Sequence, residues 1–186
     1  MKNKVILVSI DGMRPDGVMQ CGSPFVEKMM ETGSYTLDAK TVLPSVTLPC
    51  HMSMSHSVPP TRHGIVTNTY TPMVRPLNGL FEQIAAAGGV SAMYYGWEPL
   101  RDVARPGSLK FAGYLNAYAE DATDGKLTDL ALDRIEKSSP DFVFLTRRFS
   151  GAALCSASIA SISSRERKVR RLRYSMTMLS SELSRN

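Results

Sequence analysis

Two segments of the sequence carry residues suited to nucleophilic attack assisted by a metal ion. Asp11 ends a β-branched run inside IDGMRPD, and Thr47 lies further along the chain inside VTLPCHMSM. A threonine hydroxyl becomes a competent nucleophile when a cation binds its oxygen and favours the alkoxide, and a carboxylate such as Asp11 can hold that cation. The alternative for Asp11 is structural, with its side chain stabilising the turn before Gly12.

Thr47 also precedes a predicted short helix, CHMSMSH. Its hydroxyl would then lie near the N-terminus of that helix, where backbone N–H groups and the helix dipole favour phosphate oxygens. In the competing interpretation Thr47 is merely the N-cap, with Pro49 in the first turn. Neither segment alone decides between these alternatives.

The elements that must position these residues alternate between strand and helix patterns. This alternation predicts an α/β fold with a mainly parallel sheet flanked by helices, and ligands of such sheets lie beyond the carboxyl ends of the strands, where Asp11 stands. Strands are predicted at 4–10, 91–95 and 141–145, with a further extended segment at 35–43, and helices at 24–32, 77–89 and 128–137. The predicted inward-facing residues of the last two helices are Leu77, Leu80, Phe81, Ile84, Leu130 and Ile135.

Composition narrows the class of protein. A chain of 186 residues with 43% apolar residues can bury a core, and it contains no stretch near the ~18 apolar residues of a membrane span. The N-terminal apolar run is shorter than the ~7 to 15 apolar residues of the h-region of a signal peptide, so we expect a cytoplasmic protein without a membrane partner. Three cysteines without C-x-x-C spacing favour neither a disulfide framework nor a cysteine zinc site.

Taken together, VILVSIDGMRPD, LPSVTLPCHMSM and PPTRHGIVTN resemble the alkaline phosphatase superfamily, and within it the nucleotide pyrophosphatase/phosphodiesterase-like branch. Looser matches, such as GLFEQIAAAGG and PDFVFL, extend the resemblance to about residue 145. It implies hydrolysis of small phosphate esters, diesters or monoesters, at a site with two metal ions, usually zinc. Asp11 and Thr47 match ligands of one metal, and Thr47 matches the nucleophile that forms a phospho-enzyme.

Four residues are candidates for substrate binding. The resemblance implies that Asn68 lies near the substrate, although a turn-forming role is the alternative. Tyr95 ends a predicted strand, and Trp97 follows shortly after it, so both lie at the edge of the sheet where Asp11 stands. Each could stack on a planar group or pack in the core. Cys50 stands where relatives usually have an asparagine that holds a phosphate oxygen, which puts nucleotide pyrophosphatase activity in doubt.

The segment 146–186 differs in character from 1–145. It contains ten serines, eight arginines and no aspartate, and no histidine follows His63, whereas the resemblance implies further Asp and His metal ligands downstream of the last predicted strand. From 147 onward, eight Arg and one Lys against two Glu give a net charge of +7, which leaves the preceding 146 residues at −2 without a basic stripe. Nucleic acid is therefore not an expected partner of the body of the chain.

Three explanations for 146–186 remain open: a frameshift or premature end after Leu145, a natural basic arm for anionic partners, or a split enzyme completed by another chain. We therefore expect 1–145 to be the N-terminal part of a phosphohydrolase domain with impaired activity and at most one weakly bound cation. The alternative function is a non-catalytic remnant that binds phosphate or metal.

Overall fold

The computed structural model describes residues 4–119 and 122–148. They form a four-stranded sheet in the order β1-β4-β2-β3, with all three strand pairs parallel and helices around the sheet. This confirms the predicted α/β fold with a mainly parallel sheet. The described elements are β1 (Val5–Asp11), α1 (Pro15–Gln20), α2 (Pro24–Thr32), α3 (Thr47–His56), α4 (Pro60–His63), α5 (Leu80–Ala86), β2 (Ser91–Tyr95), a 3₁₀ helix (Glu98–Val103), β3 (Phe111–Tyr114), α6 (Thr123–Ser138) and β4 (Phe142–Arg148).

The centre of the sheet is β4, which lies between β1 and β2. Its successive side chains alternate between the two faces, as the strand period of two requires. One face contributes Phe142 and Phe144 to a core cluster with residues of α3 and α5, and the other contributes Val143 and Leu145 to a cluster with α6. Helices thus cover both faces of β4, which explains why this segment is a continuous apolar run.

Three predictions about strands have different outcomes. The strand at 91–95 is confirmed in its bounds. The strand predicted at 141–145 is observed as Phe142–Arg148, so it continues past the proposed boundary and includes Thr146 and Arg147. The extended segment at 35–43 is wrong, because it forms no strand and contributes only a single bridge residue, Lys40.

Of the three predicted helices, the one at 24–32 is confirmed in its bounds, and the other two have corrected bounds and faces. The helix at 77–89 is shorter, because α5 begins only after Gly79, whose N–H donates to the Glu82 carboxylate at 2.7 Å. The helix at 128–137 is longer, because α6 begins at Thr123. Leu80 and Leu130 were predicted to face inward but are 37% and 45% exposed. In α6 the inward stripe instead follows the i, i+4 spacing of Leu127 and Ala131.

Cys21 and Cys50 are free thiols, and Cys155 lies outside the described residues. Among the helices of the described part, none has the length and apolarity needed to cross a bilayer. Residues 149–186 also lie outside the described part of the chain, so the domain boundary proposed from the sequence stays a prediction.

Candidate active site

Asp11 and Thr47 meet at the carboxyl edge of the sheet. Asp11 is the last residue of β1, Thr47 is the first residue of α3, and the Thr47 hydroxyl donates a hydrogen bond of 3.1 Å to Asp11 Oδ2. The N-cap of α3 is Val46, whose own side chain makes no capping hydrogen bond. The interpretation of Thr47 as merely an N-cap is therefore wrong, because its hydroxyl points to another strand rather than to its own helix.

The imidazole of His51 connects the main chain of Thr47 to β1. Its Nδ1 lies 2.8 Å from the Thr47 carbonyl oxygen, which can only accept, so Nδ1 carries the hydrogen and Nε2 accepts from the Ser9 hydroxyl at 3.3 Å. Burial lowers the pKa of His51, in spite of the opposing effects of the Thr47 carbonyl and the Asp11 charge. A neutral imidazole thus ties the main chain of Thr47 to β1, and this supports a positioning role rather than a role in metal binding.

The N-terminus of α3 has fewer backbone donors than its position suggested. The N–H of Leu48 donates to Asn68 Oδ1 at 3.0 Å, and the N–H of Cys50 donates to the Val46 carbonyl at 3.1 Å. Pro49 has no N–H. Because Oδ1 of Asn68 accepts from Leu48, its Nδ2 is the end of the amide that can donate elsewhere. Asn68 was expected near the substrate, and the structure shows that it also caps the nucleophile helix.

A cavity of about 180 Å³ lies beside this pair. It is lined by Asp11, Thr47, His51, Asn68, Gly96, Trp97, Leu100, Ala117, Tyr118, Asp124, Thr146 and Arg147. The structure thus brings together the predicted nucleophile, the predicted metal ligand and two of the four predicted substrate-binding residues.

The other two candidates, Tyr95 and Cys50, do not line this cavity. Tyr95 is buried in the core, with its ring centroid 5.4 Å from that of Tyr114. The Cys50 thiol accepts a hydrogen bond of 2.8 Å from the Thr41 hydroxyl. Burial raises the pKa of Cys50, and the negative charge of Asp11 raises it further, so the thiol stays protonated. Of the aromatic candidates, only Trp97 is positioned to contact a ligand here.

Two charged residues in the cavity were not predicted from the sequence. Arg147 of β4 has a side chain only 2% exposed, and its Nε lies 3.8 Å from Oδ2 of Asp124 in the first turn of α6. Burial lowers the pKa of Arg147, and the charge of Asp124 opposes this shift. We call Asp124 and Arg147 the basic side of the cavity, and Asp11, Thr47, His51 and Asn68 the nucleophile side.

One sequence signal could have found Arg147. Arg147 lies two residues past the predicted buried strand DFVFL, and β4 pairs with β1 in a register that places Arg148 beside Asp11. Parallel neighbours end at the same edge of a sheet, so the residues after DFVFL belong near the site. The atypical composition of 146–186 obscures this signal.

The donor set fits part of a metal site. Asp11 and Thr47 offer two oxygens within hydrogen-bonding distance of each other. Among residues 4–119 and 122–148, no group of three or more His, Cys, Asp or Glu side chains is arranged to hold a metal ion. A catalytic zinc typically has about three protein ligands. The pair can therefore supply two contacts to a divalent cation, and the identity of that cation as zinc stays a prediction.

Comparison with known families gives a match at the same residues. A family model described as type I phosphodiesterase / nucleotide pyrophosphatase matches residues 5–83, a range that includes Asp11, Thr47 and Asn68. Among curated relatives, ectonucleotide pyrophosphatase/phosphodiesterase family member 1 of Mus musculus is 27% identical over 128 residues, or 67% of this chain. The Rattus norvegicus counterpart gives the same values. The chain spans only 14% of the length of either relative.

Solved structures show the same fold. Murine ectonucleotide pyrophosphatase/phosphodiesterase 5, an inactive threonine-to-alanine variant in complex with AMP, superimposes with a TM-score of 0.70 at 18% identity and covers 91% of this chain. Phosphonoacetate hydrolase from Sinorhizobium meliloti 1021, in complex with phosphonoformate, has a TM-score of 0.62 at 20% identity and covers 88%. This chain spans 53% and 52% of those two proteins, about half of each fold.

Proposed function

Because this chain is related in its N-terminal part to the nucleotide pyrophosphatase/phosphodiesterase-like branch of the alkaline phosphatase superfamily, we propose that it carries the nucleophile side of a metal-dependent phosphate-ester hydrolase. The observation that carries this proposal is the 3.1 Å hydrogen bond between Thr47 Oγ1 and Asp11 Oδ2, at the wall of a cavity. A threonine hydroxyl held against a carboxylate at a helix start is arranged for attack on an electrophile in that cavity.

In the proposed reaction Thr47 Oγ1 attacks phosphorus. The Oγ1–P bond forms as the bond from phosphorus to the ester oxygen breaks, and the hydroxyl proton, whose hydrogen bond Asp11 Oδ2 accepts, is released to water. The departing alkoxide takes a proton from water, and a second water hydrolyses the phosphothreonine. A divalent cation held by Asp11 and Thr47, with zinc as the expected metal, would favour the alkoxide form of the nucleophile.

Residues around the nucleophile would orient the ester. The Nδ2 of Asn68 can donate to a phosphoryl oxygen while its Oδ1 accepts from Leu48. His51 fixes the Thr47 main chain through the 2.8 Å contact to its carbonyl. Preorganised donors of this kind supply most of the stabilisation in phosphoryl transfer.

The cavity favours a small substrate. Its volume of about 180 Å³ is below the ~300 to 1,000 Å³ of typical ligand pockets. Trp97 and Tyr118 line it and could contact a planar leaving group. The ligands named for the two fold neighbours, AMP and phosphonoformate, each carry a phosphorus oxyanion. We therefore propose a small phosphate ester as the substrate, and slow turnover because the described residues offer two metal contacts.

The test is to trap the phospho-enzyme in the full chain. The protein is incubated with zinc and p-nitrophenyl phosphate or its diester, quenched in acid, and digested for mass spectrometry. We expect phosphate on Thr47, none on Thr47→Ala, and a reduced amount on Thr47→Ser, because only the hydroxyl attacks. Thr61→Ala, which changes an exposed threonine outside the cavity, is the matched control.

Other outcomes identify the alternatives. Normal turnover by Thr47→Ala would show that the nucleophile is another group. Zinc or phosphate binding without any phosphothreonine would favour the non-catalytic remnant. Activity that appears only after a second polypeptide is added would favour the split enzyme.

A further inference from the structure

Arg147 brings a guanidinium into the wall of the cavity that contains the nucleophile. Its side chain is 2% exposed, yet it lines the same cavity as Thr47 and Asn68. β4 delivers it there, because this strand runs parallel to β1 and ends at the same edge as Asp11. A cationic group of the chain is thus already present where a phosphoryl group would bind.

Few backbone donors at the start of the nucleophile helix are left for an anion. Of the first residues of α3, Leu48 gives its N–H to Asn68, Cys50 gives its N–H to Val46, and Pro49 has none. Asp11 adds a negative charge on the same side. An anionic ligand therefore gains from a positive group elsewhere in the cavity, and among the described residues Arg147 is the arginine that lines it.

Asp124 stabilises Arg147 without excluding a second anion. The 3.8 Å between Nε and Oδ2 exceeds the ~2.7 to 3.2 Å of a hydrogen bond, so this contact is Coulombic. A guanidinium carries five N–H donors in a planar fork and can contact a carboxylate and a phosphate together. A desolvated cation gains from a nearby anion, since burial weakens its hydration.

We propose that Arg147 binds the phosphoryl oxygens of the ligand in this cavity, and that Asp124 competes with the ligand for the same guanidinium. The inference rests on the proposed function for the identity of the ligand as a phosphate ester. It adds a binding residue from outside the motifs of the first 70 residues, and it assigns opposite effects to the two members of the basic side.

The experiment measures binding of inorganic phosphate by calorimetry to the full chain in the Thr47→Ala background, with EDTA present. Turnover and metal binding are thereby removed from the measurement. Arg147→Met should weaken phosphate binding about tenfold or more, the effect of losing a charge-assisted hydrogen bond. Arg147→Lys should have an intermediate effect, because it keeps the charge and loses the fork. Asp124→Asn should strengthen binding, because a competing negative charge is removed.

The opposite signs separate ligand binding from a structural role. If Arg147 and Asp124 only hold β4 and α6 together, both Arg147→Met and Asp124→Asn lower the thermal stability, and the folded protein binds phosphate as the parent does. That result would overturn the proposal, as would weaker binding by Asp124→Asn or no phosphate binding by the parent. Arg147→Lys and Asp124→Asn keep the test decisive if Arg147→Met does not fold.

Failure of this inference can be told apart from failure of the proposed function. If the chain forms phosphothreonine and the Arg147→Met variant binds phosphate as well as the parent does, only the role of Arg147 is refuted. A chain that binds phosphate through Arg147 but never forms phosphothreonine would refute only the nucleophile.

Discussion

The two sides of the cavity are held in place by different forces. On the nucleophile side, hydrogen bonds of 2.8 to 3.1 Å connect Thr47, Asp11, His51 and Asn68 across β1, α3 and a loop. On the basic side, Arg147 is buried and its Nε makes a Coulombic contact of 3.8 Å with Oδ2 of Asp124. Directional hydrogen bonds therefore fix the side-chain positions on the nucleophile side, whereas burial and charge dominate around Arg147 on the basic side.

Phe144 lies on β4, the strand that also carries Arg147, and packs in the core against the nucleophile helix, so its removal should have the largest effect on stability. It is 2% exposed on β4, with its ring centroid 6.0 Å from that of His51 and 6.1 Å from that of Phe81. Phe144→Ala should lower the free energy of unfolding by about 3 to 5 kcal/mol, measured by urea denaturation. Val74→Ala, at a side chain 98% exposed, should change it by less than about 0.5 kcal/mol. Equal effects of the two substitutions would contradict the place of Phe144 in the core.

Each side of the cavity has one carboxylate, and the two should contribute unequally to metal binding. Asp11 contacts the Thr47 hydroxyl, whereas Asp124 lies beside a guanidinium. Asp11→Asn should weaken zinc binding by the full chain about tenfold or more, the ~1.4 kcal/mol scale of one lost charged contact. The matched substitution, Asp124→Asn, should change zinc affinity much less, because the positive charge of Arg147 disfavours a cation there. A calorimetric titration in which Asp124→Asn loses more zinc affinity than Asp11→Asn would place the metal on the basic side.

Substitutions of Asn68 should have the smallest effect on stability. Two different substitutions separate its role as a helix cap from its role in phosphate binding. Asn68→Ala removes the acceptor for the Leu48 N–H and should cost about 1 kcal/mol of stability, as the loss of a helix cap does. Asn68→Asp keeps an acceptor and places a negative charge at a helix N-terminus, so stability should be retained. Phosphate affinity should fall in both variants, because both lose the amide donor. Unchanged affinity in Asn68→Asp would limit this residue to its capping role.

The sequence was informative about the nucleophile side because its residues sit in compact motifs. Asp11 closes a β-branched run, and Thr47 precedes a helix, so the pattern of elements alone predicts the edge where both lie. The partners of Thr47 were less predictable. That Asn68 accepts from Leu48 depends on how a loop returns to the helix, which no local pattern records.

The basic side depended on strand register and on packing between distant elements. Arg147 lines the cavity because β4 extends past Leu145. Asp124 lines it because α6 begins earlier than its apolar pattern indicated. Leu130 shows the same limit, since its exposure follows from which stripe of α6 meets the sheet. Periodicity gives the type of an element more reliably than its ends or its rotation.

The position of β1 in the sheet sets the order in which the site can be assembled. Within the described sheet β1 pairs only with β4, so that Val5 lies beside Phe142, near the other end of the described chain. Closing so long a loop costs entropy before any contact compensates for it, and such non-local pairing slows folding. Asp11 is therefore synthesised long before β4, and β1 cannot reach its place in the sheet until β4 has been made. During translation, the nucleophile helix can form long before the strand that presents its carboxylate has a place to dock.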